Sequence, residues 1–189
     1  MKKLILTICF LIISPMLALQ ACAKIERFHV NAQRNAVDHS NRGVIYMQDR
    51  YYASAIKEFQ LAILLDPDTQ AAATYYSNLA NCYMKIGYPA LAQDALQRAI
   101  KLNPMNLTYY EDLTITLKRQ KLLEQKLKYY KKDAEKNPLS HLMVGFILIE
   151  QGNEDAGIAK LHEFVSTEPN LIISKGVQKF IDERSHEKF

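Results

Sequence analysis

The chain has 189 residues, of which 49% are hydrophobic and 23% are charged, so it is long enough for one folded domain and too apolar to be wholly disordered. The 24 basic and 20 acidic residues give a formal net charge of +4, which gives no reason to expect a nucleic-acid partner. Cys9, Cys22 and Cys82 are too few for a disulfide framework, and no CxxC metal pattern occurs.

Residues 1–23 have the features of a secretory signal peptide. Lys2 and Lys3 precede an almost unbroken apolar run over residues 4–13, and small alanine residues follow it. The amphipathic residues 24–35 are then expected to form an N-terminal cap or a spacer. The sequence therefore predicts a chain exported to a bacterial cell envelope, either in the periplasm or anchored to a membrane.

The way in which this leader is processed stays open between three interpretations. Residues 19–22 (Leu-Gln-Ala-Cys) resemble a bacterial lipobox, which would make Cys22 an acylated N-terminus that anchors the chain to a membrane. Ala21 and Ala23 also satisfy the small-x-small rule of ordinary signal peptidase, with cleavage before Lys24. The uncharged residues 4–23 are just long enough for an uncleaved membrane anchor, although Pro15 and Gln20 weaken that interpretation.

Four prolines mark a repeat of about 34 residues in the rest of the chain. Pro67, Pro104, Pro138 and Pro169 are 37, 34 and 31 residues apart, and each closes a stretch of helical periodicity. The positions shared between residues 36–69 and 73–106 are Gly43, Tyr46, Ala55, Phe59, Ala62 and Pro67 in the first, and Ala80, Tyr83, Ala92, Leu96, Ala99 and Pro104 in the second. This pattern is similar to that of the tetratricopeptide repeat family.

The two later repeats keep fewer of these positions. Residues 107–140 keep Leu113, Tyr130 and Pro138 but place Lys126 where a small residue belongs. Residues 138–171 keep Gly145, Gly152, Gly157, Leu161 and Pro169. In each repeat the small residues are expected to let two helices approach closely, while the aromatic and leucine side chains fill the gaps between them.

The resemblance implies an all-α fold. It would be a right-handed superhelical solenoid of about four helix-turn-helix repeats over residues 36–170, because one such unit cannot bury its own apolar face and neighbouring units must stack. The end of the last repeat needs a cover. The C-terminal segment, residues 171–189, is expected to supply it as a capping helix over residues 171–185 and a polar tail.

In this family the first helix of each repeat, helix A, lines a concave groove that holds a peptide or helix. The matching positions predict a partner groove formed by Val44, Met47, Asn78, Asn81, Met84, Lys85, Glu111, Ile115, Lys118 and Phe146. One subset of the family clamps a C-terminal carboxylate with Lys and Asn. Here Ser40, Val44, Thr108 and Asp112 occupy four of its five places and only Asn78 matches, so binding of a chaperone tail is not expected.

A basic run in the third repeat suggests an alternative function. Residues 118–136 contain eight basic and three acidic residues, a local net charge of +5. A solvated helix face explains such a run in most proteins. The alternative is an electrostatic adaptor that binds an anionic membrane or cell-wall polymer. Its predicted basic patch consists of Arg119, Lys121, Lys126, Lys128, Lys131 and Lys132.

The sequence contains no recognisable reaction centre. The five histidines lack metal-ligand spacing, and neither a nucleophile elbow nor a glycine-rich phosphate loop occurs. Cys82 is expected to be a small buried apolar residue, or else a thiol used in redox chemistry or in a disulfide with a partner. We therefore predict a non-enzymatic protein–protein interaction module without a cofactor, acting as an envelope scaffold or assembly factor, with its oligomeric state open.

Overall fold

The computed structural model describes residues 32–186. The backbone of this part of the chain forms nine helices and no strand. Helix α1 covers residues 32–48. It is followed by α2 (Tyr52–Leu65), α3 (Gln70–Lys85), α4 (Pro89–Leu102), α5 (Leu107–Arg119), α6 (Leu123–Asp133), α7 (Ser140–Glu150), α8 (Glu154–Thr167) and α9 (Ile172–His186). The predicted leader with Cys22, residues 24–31 of the predicted spacer, and residues 187–189 lie outside the described residues.

Successive helices pack against each other along the chain, so the predicted all-α repeat fold is confirmed. Helices α3 and α4 form one close antiparallel pair, and α7 and α8 form another. The second helix of each pair then packs on the first helix of the next, as α2 does on α3 and α4 does on α5. This arrangement buries the apolar face that a single helical pair would leave exposed.

Small residues make the close pairs possible. A Cβ atom on Gly43 would lie 2.7 Å from Phe59 Cε1, and one on Gly145 would lie 2.6 Å from Leu161 Cδ2. Ala55 on α2 and Ala92 on α4 are the small residues of the second helices, and neither has any exposed surface. Any larger side chain at these positions would push the helices apart.

Local chemistry fixes several helix ends. Pro89 stands in the first turn of α4, where its missing N–H group costs no helical hydrogen bond. The Thr69 hydroxyl accepts a hydrogen bond from the Ala72 N–H at the start of α3. Gly87 and Gly152 take φ angles of +86° and +88° in the turns that end α3 and α7. Glycine suits these turns because it has no Cβ atom to oppose a positive φ.

The third repeat departs from the expected close hairpin. Lys126 occupies the place of Ala55 and Ala92, twelve residues before the repeat's proline, and its charged side chain stays only half-buried. Helix α6 consequently makes few contacts with α5 and has no buried residue of its own. It packs mainly on α7, which leaves an open cleft between α4 and α6.

Helix α9 follows the fourth repeat, at the place predicted for a capping helix. Its buried residues Ile173, Val177 and Ile181 pack into the same core as α5, α7 and α8. The helix also reaches back across α5, where Gly176 faces the Leu107 side chain. Among residues 32–186, none of the helices combines the length and the apolar character needed to cross a membrane.

Candidate functional site

The A helices of the second and third repeats enclose a cleft of about 150 Å³, here called the α3–α5 cleft. Helical spacing places its lining residues on one face of each helix, since positions three and four apart lie side by side. The residues that line it are Asn81, Met84 and Lys85 on α3, Leu96 on α4, and Asp112, Ile115, Thr116 and Arg119 on α5. Asn81, Met84, Lys85 and Ile115 of the predicted groove are thus brought together.

The α3–α5 cleft combines apolar surface with unused polar groups. Ile115 is 44% exposed although it is apolar, and Met84 beside it is half-buried. The Thr116 hydroxyl is buried and has no hydrogen-bond partner among the described residues. Burial raises the pKa of the Asp112 carboxyl. A buried polar group without a partner is costly in a folded protein, and such groups are common where a ligand binds.

A second cleft of about 200 Å³ lies between α5, α7 and α9, here called the α5–α7 cleft. Glu111, Asp112 and Ile115 line its α5 side, and Arg184 of α9 closes it. Burial, together with the negative charge of Asp112, raises the pKa of Glu111 despite the nearby Arg184. Asp112 lines both clefts, whereas Glu111 lines the α5–α7 cleft alone.

Phe146 is a correction to the predicted groove. Its side chain is only 4% exposed, and the Phe180 ring covers it in an edge-to-face contact with a centroid distance of 5.2 Å. The prediction placed Phe146 on an open concave surface, but α9 crosses that surface and buries it. A partner cannot contact most of the Phe146 ring while α9 stays in place.

Four further residues of the predicted groove line neither the α3–α5 cleft nor the α5–α7 cleft. Val44 and Met47 are half-buried and pack against the core cluster around Phe59. Asn78 is half-buried one helical turn before Asn81. The Lys118 ammonium lies 2.9 Å from a Glu150 carboxylate oxygen, in an ion pair that joins α5 to α7.

The six residues of the predicted basic patch do not form one surface. Lys121, Lys128 and Lys131 line one open surface cleft. Lys126 points into the separate cleft between α4 and α6, with its ammonium 5.7 Å from the centre of the Tyr129 ring. Lys132 and Arg119 are exposed. Within residues 32–186, no ion pair engages any of the six patch residues.

Asp112 and Thr116 are not among the residues of the groove predicted from the sequence, where Asp112 is only a mismatch to a carboxylate-binding position. The signal that could have found both was spacing, since Asp112, Ile115, Thr116 and Arg119 follow the pattern i, i+3, i+4, i+7 and share one face of α5.

Replacement of Asp112 by asparagine should stabilise the folded protein at pH 7. Burial raises the pKa of the Asp112 carboxyl, so the folded state binds a proton at this group more tightly than the unfolded state does. The protonated carboxyl therefore favours folding at low pH, and this contribution is lost as pH rises through the pKa of the folded state. The asparagine side chain would carry no charge to desolvate. The melting temperature of Asp112→Asn should therefore exceed the wild-type value at pH 7, with a difference that vanishes near pH 3. An equal difference in melting temperature at both pH values would show that burial does not raise the pKa of Asp112.

Cys82 lies in the core of the second repeat and has no exposed surface. Burial raises the pKa of its thiol to about 11, which leaves very little thiolate at neutral pH. These properties fit the buried apolar residue that the sequence suggested and oppose a disulfide with a partner.

The Cys82 thiol should accordingly resist alkylation in the folded protein. At pH 8 its reaction with iodoacetamide, followed by mass spectrometry of the Cys82 peptide, should be at least about a hundredfold slower than in urea. Modification of the folded protein at the rate of a free thiol would show that the second repeat opens readily.

The described residues contain no group of three or more His, Cys, Asp or Glu side chains arranged to hold a metal ion. Two segments match family models of the tetratricopeptide repeat, residues 39–69 and residues 73–106. They coincide with the first two predicted repeats. Residues 39–69 and 73–106 are therefore two tetratricopeptide repeats.

No curated protein matches this chain. Several solved structures are similar to this chain. PilF of Pseudomonas aeruginosa is 17% identical, with 77% of this chain and 67% of that chain covered and a TM-score of 0.50. MamA is 22% identical, with 71% and 74% covered and a TM-score of 0.49. The second repeat domain of human RPAP3, in complex with an HSP70 peptide, is 14% identical, with 80% and 98% covered and a TM-score of 0.47.

Proposed function

We propose that this protein is a non-enzymatic interaction module that holds a segment of a partner protein in the α3–α5 cleft. Tetratricopeptide repeats form extended surfaces on which partners bind. The observation that carries the proposal is the exposed apolar side chain of Ile115, which stands beside the unpaired Thr116 hydroxyl and the half-buried Asp112 carboxyl. A partner that covers all three would gain apolar burial and satisfy the polar groups.

The lining of the cleft indicates the chemistry of this partner segment. Met84 and Ile115 offer apolar surface to one aliphatic or aromatic side chain. The Asn81 amide can both donate and accept hydrogen bonds, which suits a peptide backbone. The charged groups of the lining are Lys85, Asp112 and Arg119, so the cleft can pair with a partner side chain of either charge.

We place this module in a bacterial cell envelope as a scaffold or assembly factor. The support is the leader in residues 1–23, with its basic start, apolar centre and small residues before a cleavage point. Acylation at Cys22 would hold the repeats at a membrane surface, since several acyl chains anchor stably. The mass of the intact native protein distinguishes this from cleavage before Lys24.

Site-specific crosslinking in the native host tests the proposed cleft. A photoreactive amino acid in place of Ile115 should yield a covalent adduct with one partner protein. The same amino acid in place of Ile86, which is also an exposed isoleucine but lies outside the clefts, should not yield it. Ile115→Glu should then weaken binding of the purified partner at least tenfold, an effect typical of a hot-spot residue. Identical adducts from both positions, or unchanged binding by Ile115→Glu, would refute the proposal.

The exposed face of α6 supports a second candidate function. Lys121, Lys128 and Lys131 share one open cleft and have no ion pair among the described residues, so they could contact an anionic membrane or cell-wall polymer. Co-sedimentation with phosphatidylglycerol vesicles tests this. Binding should fall steeply with salt and should be lost in Lys128→Glu/Lys131→Glu. Binding that is indifferent to salt and to these changes would exclude it.

A further inference from the structure

The cleft between α4 and α6, here called the tyrosine cleft, has a volume of about 540 Å³. This is within the range of roughly 300–1,000 Å³ that is typical of ligand sites. It exists because Lys126 holds α6 away from α5, whereas Ala55, Ala92 and Gly157 let the other repeats close. Residues that line it include Ile100, Lys101, Tyr110, Lys126, Tyr129 and Tyr130.

The tyrosine cleft is separate from the proposed partner site. It contains Tyr110 and Leu113 of α5, whereas the α3–α5 cleft contains Asp112 and Ile115. At 100° per residue, these two pairs lie on opposite faces of the same helix. A ligand in the tyrosine cleft would therefore leave the α3–α5 cleft free.

The charged groups of the tyrosine cleft differ in whether they already have a bonding partner. Asp133, the acidic residue of the lining, already accepts hydrogen bonds from Ser140 Oγ and Asn137 Nδ2. Lys101 and Lys126 have no ion-pair partner among residues 32–186. The lining therefore carries two cations without an ion-pair partner and one carboxylate whose oxygens already accept hydrogen bonds, a net charge of +1 that attracts an anionic ligand.

The uncharged groups of the lining suit a peptide. Ile100, Tyr129 and the floor residue Met143 can receive an aromatic or long aliphatic side chain. The Tyr130 hydroxyl and the Gln97 amide form no hydrogen bond with any described residue and can bond to a peptide backbone, which the acyl chain of a lipid cannot do. Burial raises the pKa of Tyr130 to about 12, so this hydroxyl remains a hydrogen-bond donor at neutral pH.

We propose that the tyrosine cleft is a second binding site, which takes a short acidic peptide segment with an aromatic or long aliphatic side chain. Its carboxylates would pair with Lys101 and Lys126, and its apolar side chain would enter between Ile100 and Tyr129. The protein would then hold two different segments at once, one on each face of α5. This would suit a module that brings two proteins together.

Selection from a library of twelve-residue peptides displayed on phage, with the purified protein as bait, tests this proposal. The selected peptides should combine Asp or Glu with an aromatic or leucine residue, and their affinity should fall with salt. Binding should weaken at least about tenfold in Lys101→Glu/Lys126→Glu, because each attraction becomes a repulsion. Lys128→Glu/Lys131→Glu is the matched control, since it makes the same charge change on the other face of α6 and should leave binding unchanged.

The proposal is wrong if the selected peptides bind the Lys101→Glu/Lys126→Glu variant normally. It is also wrong if the control variant Lys128→Glu/Lys131→Glu loses as much peptide binding, or if Ile115→Glu loses peptide binding instead. The absence of acidic peptides, together with Lys126-dependent binding of palmitate, would identify a lipid site and also overturn it. Thermal unfolding checks that the variants fold. If the first pair does not fold, Tyr129→Ala replaces it, because the Tyr129 ring is 57% exposed and should weaken binding without disturbing the core.

Discussion

Phe59→Ala should lower the free energy of unfolding by about 3–5 kcal/mol, the usual cost of removing a buried ring. The Phe59 side chain has no exposed surface and fills the junction between α1 and α2. Urea denaturation measures the loss. Leu64→Ala in the same helix is the matched control. Its side chain is 75% exposed, so the change should cost no more than about 0.5 kcal/mol.

A double-mutant cycle makes this prediction more stringent. A Cβ atom on Gly43 would lie 2.7–2.9 Å from three atoms of the Phe59 ring, so Gly43→Ala alone should destabilise the fold. In the Phe59→Ala background that clash is absent, and the same change should cost much less. Additive effects of the two substitutions would show that α1 and α2 do not meet at this pair.

Gly157→Ala should destabilise the fourth repeat by about 1–3 kcal/mol, although alanine is the better helix former. The new Cβ atom would lie 2.7 Å from the Gly145 carbonyl oxygen and 3.0 Å from the Ile149 amide nitrogen. These are backbone atoms of α7, which cannot turn away as a side chain can. The helices α7 and α8 must therefore separate, and the loss should appear as a lower urea midpoint.

Gly176→Ala is the control for this prediction because it makes the same change within a helix. At Gly176 the nearest atom to the new Cβ is Leu107 Cδ2, at 3.7 Å, which is an ordinary contact. Only the helix-propensity gain remains there, and we expect about 0.5–1 kcal/mol of stabilisation. If Gly157→Ala stabilised the protein in the same way, this would show that α7 and α8 do not pack closely at Gly157.

The sequence predicts the repeat architecture well because the interactions that define it are local and periodic. The spacing from each proline identifies Ala55, Ala92 and Gly157 as the small residues of helix B, and the structure buries all three. The same spacing places Lys126 at that position in the third repeat, where α6 stands away from α5. A single register therefore predicts both the regular pairs and the place of the irregular one.

The surface of the site is less predictable because it depends on contacts between distant residues. Phe146 has the correct helical position for a groove residue, yet α9 folds back and the Phe180 ring covers it. That path depends on contacts such as the one between Gly176 and Leu107, which no periodic pattern encodes. The tyrosine cleft was likewise not predicted, because the displacement of α6 must be known before its lining can be named.

Amide hydrogen exchange, measured on the complex with the partner identified by crosslinking at Ile115, tests whether the α3–α5 cleft is the partner site. The partner should slow exchange in α3 around Asn81 and in α5 around Ile115, while exchange in α6 remains as in the free protein. Slowing confined to α6, with no change in α3 and α5, would contradict the assignment of the α3–α5 cleft as the site where this protein holds its partner.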